Sequence, residues 1–146
     1  MKYLLKMLDR NKSLFENDIN KHNILLKKII AKSRFLIIGG AGSIGQATTK
    51  EIFKRNPKLL HVVDISENNL VELVRDLRSS AGYIEGEFKT YCLDCGSIQF
   101  EQLVKKNKNY DYVINLSALK HVRSERDTFT LSRMLEVNIL NVIRHL

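Results

Sequence analysis

Phe35-Leu36-Ile37-Ile38-Gly39-Gly40-Ala41-Gly42-Ser43-Ile44-Gly45 decides the fold: four apolar residues, a glycine-rich break, then the start of a helical pattern. An unbroken run of branched and aromatic residues suits a strand buried on both faces of a parallel sheet. The glycines at positions 39, 42 and 45 follow a G-x-x-G-x-x-G spacing rather than G-x-G-x-x-G. Both spacings meet the same demands: a tight turn, a backbone that can approach a pyrophosphate, and a helix pressed hard on its strand. A helix opening here points its first N–H groups, and the positive end of its dipole, at the phosphates.

Outward from this turn the chain alternates. Ile44, Thr48 and Ile52 continue a helix to about Arg55, stopped by Pro57, which cannot extend it. Leu59 to Val63 is a second apolar strand ending in Asp64. That acid lies about 20 residues past the glycines, where a carboxylate holds the ribose hydroxyls of a dinucleotide. Ser66 then caps a helix bearing Leu70, Leu73, Val74 and Leu77 at three-and-four spacing, closed by Ser79-Ser80-Ala81-Gly82. A third strand covers roughly Phe88 to Leu93, followed by Asp94 and a helix from about Ser97 to Lys106. A fourth strand runs from Tyr112 to Leu116, and a last helix from about Arg133 to Leu146. This order predicts an α/β fold: a Rossmann-type parallel sheet of about four strands with flanking helices and right-handed crossovers. Residues 33–146 are expected to form an incomplete NAD(P)-binding domain, its N-terminal part.

Residues 1–32 are expected to form a helical extension. Ser13-Leu14-Phe15-Glu16 has the form of a capping box, and Ile19, Leu26, Ile29 and Ile30 fall near one side of the helix that follows. Lys27, Lys28 and Lys32 sit toward its C-terminal end, where cations suit the dipole. The helix is expected to pack on the main domain or on a partner chain.

With 146 residues the chain has room for one domain with a real core. Its formal net charge of +8 raises the question of nucleic acid. The lysines, however, are dispersed and mixed with acids, as on a solvated surface, so no nucleic-acid partner is expected. No apolar run is long enough to span a bilayer. A cytoplasmic protein without a membrane partner is expected. Cys92 and Cys95 form a single C-x-x-C. Two sulfurs cannot complete a tetrahedral zinc site, and a redox C-x-x-C opens a helix whereas Cys92 ends a strand. Two thiols without a special role is the reading preferred, with no metal.

Three stretches together resemble one family. Gly39 to Gly45 resembles the cofactor turn of extended short-chain dehydrogenases/reductases. Asn115-Leu116-Ser117-Ala118-Leu119-Lys120-His121-Val122 resembles the segment after the fourth strand in bacterial nucleotide-sugar 4,6-dehydratases of the polysaccharide-biosynthesis type. Val137-Asn138 is similar to an Asn-Val element on their next helix, and Leu8-Asp9-Arg10 to a Leu-Gly-Arg lead-in. The resemblance implies a lyase acting on UDP-N-acetylhexosamines, typically UDP-N-acetylglucosamine, to give 4-keto-6-deoxy sugars for surface glycans. It implies that Gly39, Gly42, Ser43, Ile44 and Gly45 cradle the pyrophosphate and that Asp64 binds the adenosine ribose. No arginine follows Asp64 directly, so the cofactor is read as NAD, with NADP the alternative. Asp94, with Cys95 beside it, corresponds to the acceptor of the adenine amino group, or else simply starts a helix. Leu116, Ser117 and Ala118 are implied on the nicotinamide side, and Lys120 and His121 in the sugar-nucleotide cleft. Arg123 stands where the family often has proline, and Leu140-Asn141 where it has Gly-Thr.

The family's catalytic base is a Tyr-x-x-x-Lys pair on one helix face, in which the lysine lowers the tyrosine's pKa. Four residues after Tyr3, Tyr83, Tyr91, Tyr110 and Tyr112 stand Met7, Glu87, Cys95, Ile114 and Leu116. The pair is absent, so the chain is expected to be the N-terminal part of a longer enzyme and inactive alone. A half-sheet leaves an edge and apolar surface uncovered, which favours a homo-oligomer. Two other readings stay open: another extended short-chain enzyme, such as a nucleotide-sugar epimerase, and a non-catalytic NAD-binding module.

Overall fold

The apolar run before the glycines is a strand, β1 (Arg34–Ile38), and the second apolar run is β2 (Leu59–Asp64). The computed structural model describes residues 6–9, 12, 14–120 and 126–145. Every residue of β2 is buried, as are Phe35 to Ile38 of β1, because these two strands occupy the middle of the sheet. β3 (Glu87–Cys92) and β4 (Tyr112–Asn115) form its edges, in the order β3-β2-β1-β4, and all pairings are parallel. Edge position explains why β3 alternates in exposure and why Tyr112 and Val113 of β4 are exposed.

Parallel strands need crossovers, and the helices supply them. The chain carries α1 (Glu16–Lys32), α2 (Ser43–Phe53), α3 (Glu67–Ser80), α4 (Ile98–Lys106) and α5 (Thr128–Leu135). A π-helical turn (Glu136–Leu140) joins α5 to α6 (Asn141–His145). The two-residue period of the strands divides the core in two. Phe35, Ile37, Leu60 and Val62 meet Ile52 and Phe53 of α2 and Leu70, Leu73 and Leu77 of α3 on one face. Leu36, Ile38 and Val63 meet Cys95 and Phe100 on the other.

One expectation changes. The last helix begins at Thr128, not near Arg133, because the Asp127 carboxylate accepts from the Thr130 N–H at 2.8 Å and caps it. The extension is helical, but α1 buries none of its residues. Only Ile30 packs on the core, while Ile19 and Ile29 stay exposed. Ser13 of the predicted capping box lies outside the described residues, and among the described residues no side chain caps the helix start after Phe15. Among the described residues no helix is long and apolar enough to cross a membrane.

His61 of β2 is fully buried, and its ring bridges Tyr110 Oη (2.7 Å from Nδ1) and Glu87 Oε1 (3.0 Å from Nε2). A carboxylate only accepts, so Nε2–H donates to Glu87, which leaves Nδ1 to accept from the tyrosine. The neutral ring satisfies both contacts. Burial pushes the His61 pKa down; Glu87 opposes that, and Lys89 and Arg34 add to it. Burial also raises the Tyr110 pKa to about 12, which keeps its proton available for the ring. The unfolded chain therefore takes up a proton at His61 below its ordinary value of about 6.5 that the folded chain refuses. Stability is present above that pH and is lost as pH falls through the window just below it. Urea denaturation midpoints are expected to decline from pH 7.5 to pH 5.5, with a flatter profile for His61→Asn; equal slopes overturn this.

Candidate functional site

Gly39 has φ +72°, a left-handed conformation that lets the chain leave β1 and turn back over the sheet. The turn is anchored to β2: Gly39 N–H and Gly40 N–H both donate to Val63 O, at 2.8 and 3.2 Å. Asp64, at the end of β2, accepts from Ala41 N–H at 2.9 Å through Oδ2 and from Ser66 N–H at 3.0 Å through Oδ1. Its carboxylate thus braces the glycine turn against the loop that opens α3.

The helices differ at their starts. Ser66, Ser97 and Asp127 cap α3, α4 and α5 with side-chain oxygens. The residue before α2 is Gly42, which has no side chain to cap it, and no acid lies in that first turn. The start of α2 is left without a side-chain acceptor, an arrangement suited to an anion.

The far wall comes from β4 and the loop after it. A Cβ on Gly39 meets Ser117 N at 2.6 Å and Leu116 C at 2.8 Å, so this wall presses directly on the turn. Asn115 Oδ1 accepts from Ser117 N–H (3.0 Å) and from its hydroxyl (2.6 Å). Asn138, on the π-helical turn, fixes Leu119 from both sides: Oδ1 accepts from Leu119 N–H and Nδ2 donates to Leu119 O, each at 2.9 Å. π-turns are frequent at functional sites.

These parts enclose one cavity of about 460 Å³ beyond the C-terminal ends of β1, β2 and β4. It lies where the strand order reverses, β2 on one side of β1 and β4 on the other. Open α/β sheets bind ligands at such a switch point. The structure brings Gly39, Gly42, Asp64, Asp94, Cys95, Leu116, Ser117 and Ala118 together in its lining. Ser43, Ile44 and Gly45 form the first turn of α2 beside it: Ile44 is 72 % exposed and Gly45 is buried. Lys120 is exposed and outside the lining, and His121 lies outside the described residues.

Asp94 does not cap α4; Ser97 does. Its Oδ1 accepts from Gly96 N–H at 2.8 Å, and its Oδ2 pairs with Arg133 Nη2 at 2.6 Å. The Gly96 bond, and then Arg133, hold its pKa below the usual carboxylate range. Sequence reasoning gave no site role to Arg133, Ile65, Leu93 or Val137, all of which line the cavity. Cys92 is exposed and Cys95 buried, and no cluster of three metal-ligating side chains exists among the described residues.

The parallel order, the glycine turn and the switch-point cavity define a Rossmann-type α/β fold. Within that class the chain belongs to the polysaccharide biosynthesis protein family, whose model matches residues 35–144. It is 36% identical over 87 residues to an uncharacterized membrane protein of Methanocaldococcus jannaschii, covering 60% of this chain and 24% of that protein. Among solved structures, the UDP-Glc/GlcNAc 4-epimerase of Campylobacter jejuni matches with TM-score 0.60 at 24% identity, over 77% of this chain and 32% of its own. A D-mannonate oxidoreductase of Haemophilus influenza with bound NAD matches with TM-score 0.62 at 11% identity, over 80% of this chain and 49% of its own. The chain thus spans about a quarter of its curated relative and between a third and a half of these structures.

Proposed function

We propose that this chain supplies the cofactor-binding portion of an NAD-dependent UDP-N-acetylhexosamine 4,6-dehydratase that makes sugars for surface glycans. The observation that carries the cofactor reading is the uncapped start of α2 at Gly42, opening into a cavity that Asp64, bonded to the adjacent Ala41 N–H, also lines. The residues fit a dinucleotide: Gly42 has room for close approach, and the cavity is of ordinary ligand-site size. Family membership and the Leu-Lys-His segment at 119–121 support the sugar-nucleotide substrate.

In this reading Gly39 and Gly42, with the N–H groups of Ser43, Ile44 and Gly45, hold the pyrophosphate. Asp64 accepts from the adenosine ribose hydroxyls with the lone pairs its two backbone bonds leave open. Leu116, Ser117 and Ala118 line the nicotinamide side, and Lys120 and His121 face the sugar nucleotide. When bound, the nicotinamide supplies reversible hydride acceptance. Proton removal is assigned to a Tyr-x-x-x-Lys pair that these 146 residues do not contain.

Calorimetry is expected to show NAD binding at least about 10-fold tighter than NADP, since the Asp64 carboxylate faces a 2′-phosphate with like charge. Asp64→Asn keeps an acceptor for Ala41 N–H but removes the charge. It is expected to weaken NAD by about 10-fold and to narrow the gap to NADP. Tighter NADP binding by the unaltered chain overturns the assignment. Incubation with UDP-N-acetylglucosamine and NAD is expected to give no keto-sugar from this polypeptide alone; a 4-epimer product favours the epimerase reading.

A further inference from the structure

Away from the cavity, the outer edge of β3 and the side of α3 next to it form a second concave surface. A groove of about 450 Å³ runs between them, lined by Glu67, Val71, Val74 and Arg78 of α3 and by Thr90 and Cys92 of β3. The four helix residues follow one another at intervals of four, three and four, which sets them in one stripe along α3. Val71 is 42 % exposed, an apolar centre that the chain itself leaves uncovered. Glu67 and Arg78 stand at the two ends of the stripe, and neither has an ion-pair partner among the described residues, whereas Arg75 beside them is met by Glu72 at 2.8 Å. The strand adds hydrogen-bonding groups. Glu87 N–H donates to Lys58 O at 3.1 Å and Leu93 N–H to Asp64 O at 3.0 Å, so the odd-numbered residues of β3 face the β2 side. Alternation turns the N–H and C=O groups of Phe88, Thr90 and Cys92 outward, along an edge that is a template for another strand.

This surface is complementary to itself. In an antiparallel pair of α3 helices related by a two-fold axis, Glu67 lies opposite Arg78 of the second copy and Val71 opposite its Val74, and both contacts repeat across the axis. The same axis brings the two β3 edges together antiparallel. With Thr90 on the axis, Thr90 pairs with its own counterpart and Phe88 with Cys92, so the three outward-facing residues all find partners. Lys89 then faces Tyr91; with Lys89 on the axis, two like charges would stand opposite each other. The spacing agrees as well. α3 lies over β2 and β3, so with strands ~4.8 Å apart its axis stands about 5 Å from the two-fold, and the two helices about 10 Å apart, the distance of packed helices. We propose that the β3 edge and the α3 stripe form an interface between two copies of this chain, joining two four-stranded sheets into one continuous sheet. The interface depends on neither the cofactor nor the substrate reading.

Sedimentation equilibrium on the full chain is expected to show a monomer–dimer equilibrium, with thermal denaturation run on the same samples. Arg78→Glu sets two carboxylates against each other at both ends of the helix pair and is expected to weaken the dimer at least about 10-fold. Glu67→Arg is expected to do the same with two cations. Combining the two substitutions restores opposite charges and is expected to return the dissociation constant to within about 3-fold of the unaltered chain. The swapped charges oppose the α3 dipole, so recovery of the dimer cannot come from a firmer fold. Thr90→Cys in a Cys92→Ser background is expected to form a disulfide between copies under mild oxidation, because a hydrogen-bonded antiparallel pair sets its Cα atoms about 5.5 Å apart. Val113→Cys, on the exposed edge of β4, is expected to form none. Cross-linking at 113 in place of 90, a dimer unmoved by either charge reversal, or a loss that the double variant does not rescue overturns the proposal. So does a chain that stays monomeric up to about 100 μM, which leaves the groove to an extended peptide of another protein.

Discussion

Gly45→Ala is expected to lower the stability of the chain by about 3 kcal/mol or more, at or beyond the upper end of ordinary overpacking. At this chain length that moves the thermal midpoint down by roughly 6–12 °C. The cause is local and severe. A Cβ at this position stands 2.0 Å from Gly39 O and 2.7 Å from the Gly40 carbonyl carbon and Cα. All three atoms are backbone, so no rotamer change relieves the contact; the first turn of α2 has to lift away from the glycine turn. Lifting α2 also disturbs Thr49, whose hydroxyl donates to Gly40 O at 3.2 Å, and Ile52 and Phe53, which are buried in the core. Differential scanning calorimetry checks the value. A midpoint within about 2 °C of the unaltered chain shows that the turn yields more readily than its geometry implies.

The reason Gly45 could be picked out from sequence, and Arg133 could not, is the range over which each acts. The strand before the glycines, the helix after them, the Ser66 cap and the helix start near Ser97 are set by residues within a turn or two of each other, and all appear where the pattern places them. Periodicity also foretold that residues after Glu16 form a helix. It did not foretell that this helix buries nothing, because an apolar stripe records a shape and not whether a surface exists to receive it. The start of α5 was misplaced for a related reason. Phe129 and Leu131 are exposed, 87 % and 36 %, so the first turn carries no buried stripe, and the Asp127 cap was its only signal. Asp94 meets Arg133 only because the β3–α4 loop and α5 converge on one end of the sheet, which no local spacing records. Asn141 is likewise fully buried against Gly96 and Cys95, and no partner accounts for its Oδ1 among the described residues.

The same turn contains a glycine whose replacement separates binding from folding. Gly42 has φ −70° and ψ 171°, open to any residue, and an added Cβ meets only Gly39 O at 3.6 Å, an ordinary contact. Neither backbone strain nor packing calls for glycine here. Gly42→Ala is therefore expected to leave the thermal midpoint level or slightly raised, since alanine restricts the unfolded chain by about 0.4–1 kcal/mol. Gly42 nevertheless lines the cavity and is the N-cap of α2. A methyl group at that point holds a pyrophosphate off the N–H groups of the first turn. Losing charge-assisted bonds of this kind costs about 1.5–3 kcal/mol, so NAD affinity is expected to fall by roughly 10- to 100-fold. Gly45→Ala loses binding because the turn is displaced; Gly42→Ala is expected to lose it with the fold intact. NAD binding unchanged in a stably folded Gly42→Ala protein removes the pyrophosphate from the start of α2, and with it the observation on which the cofactor reading rests.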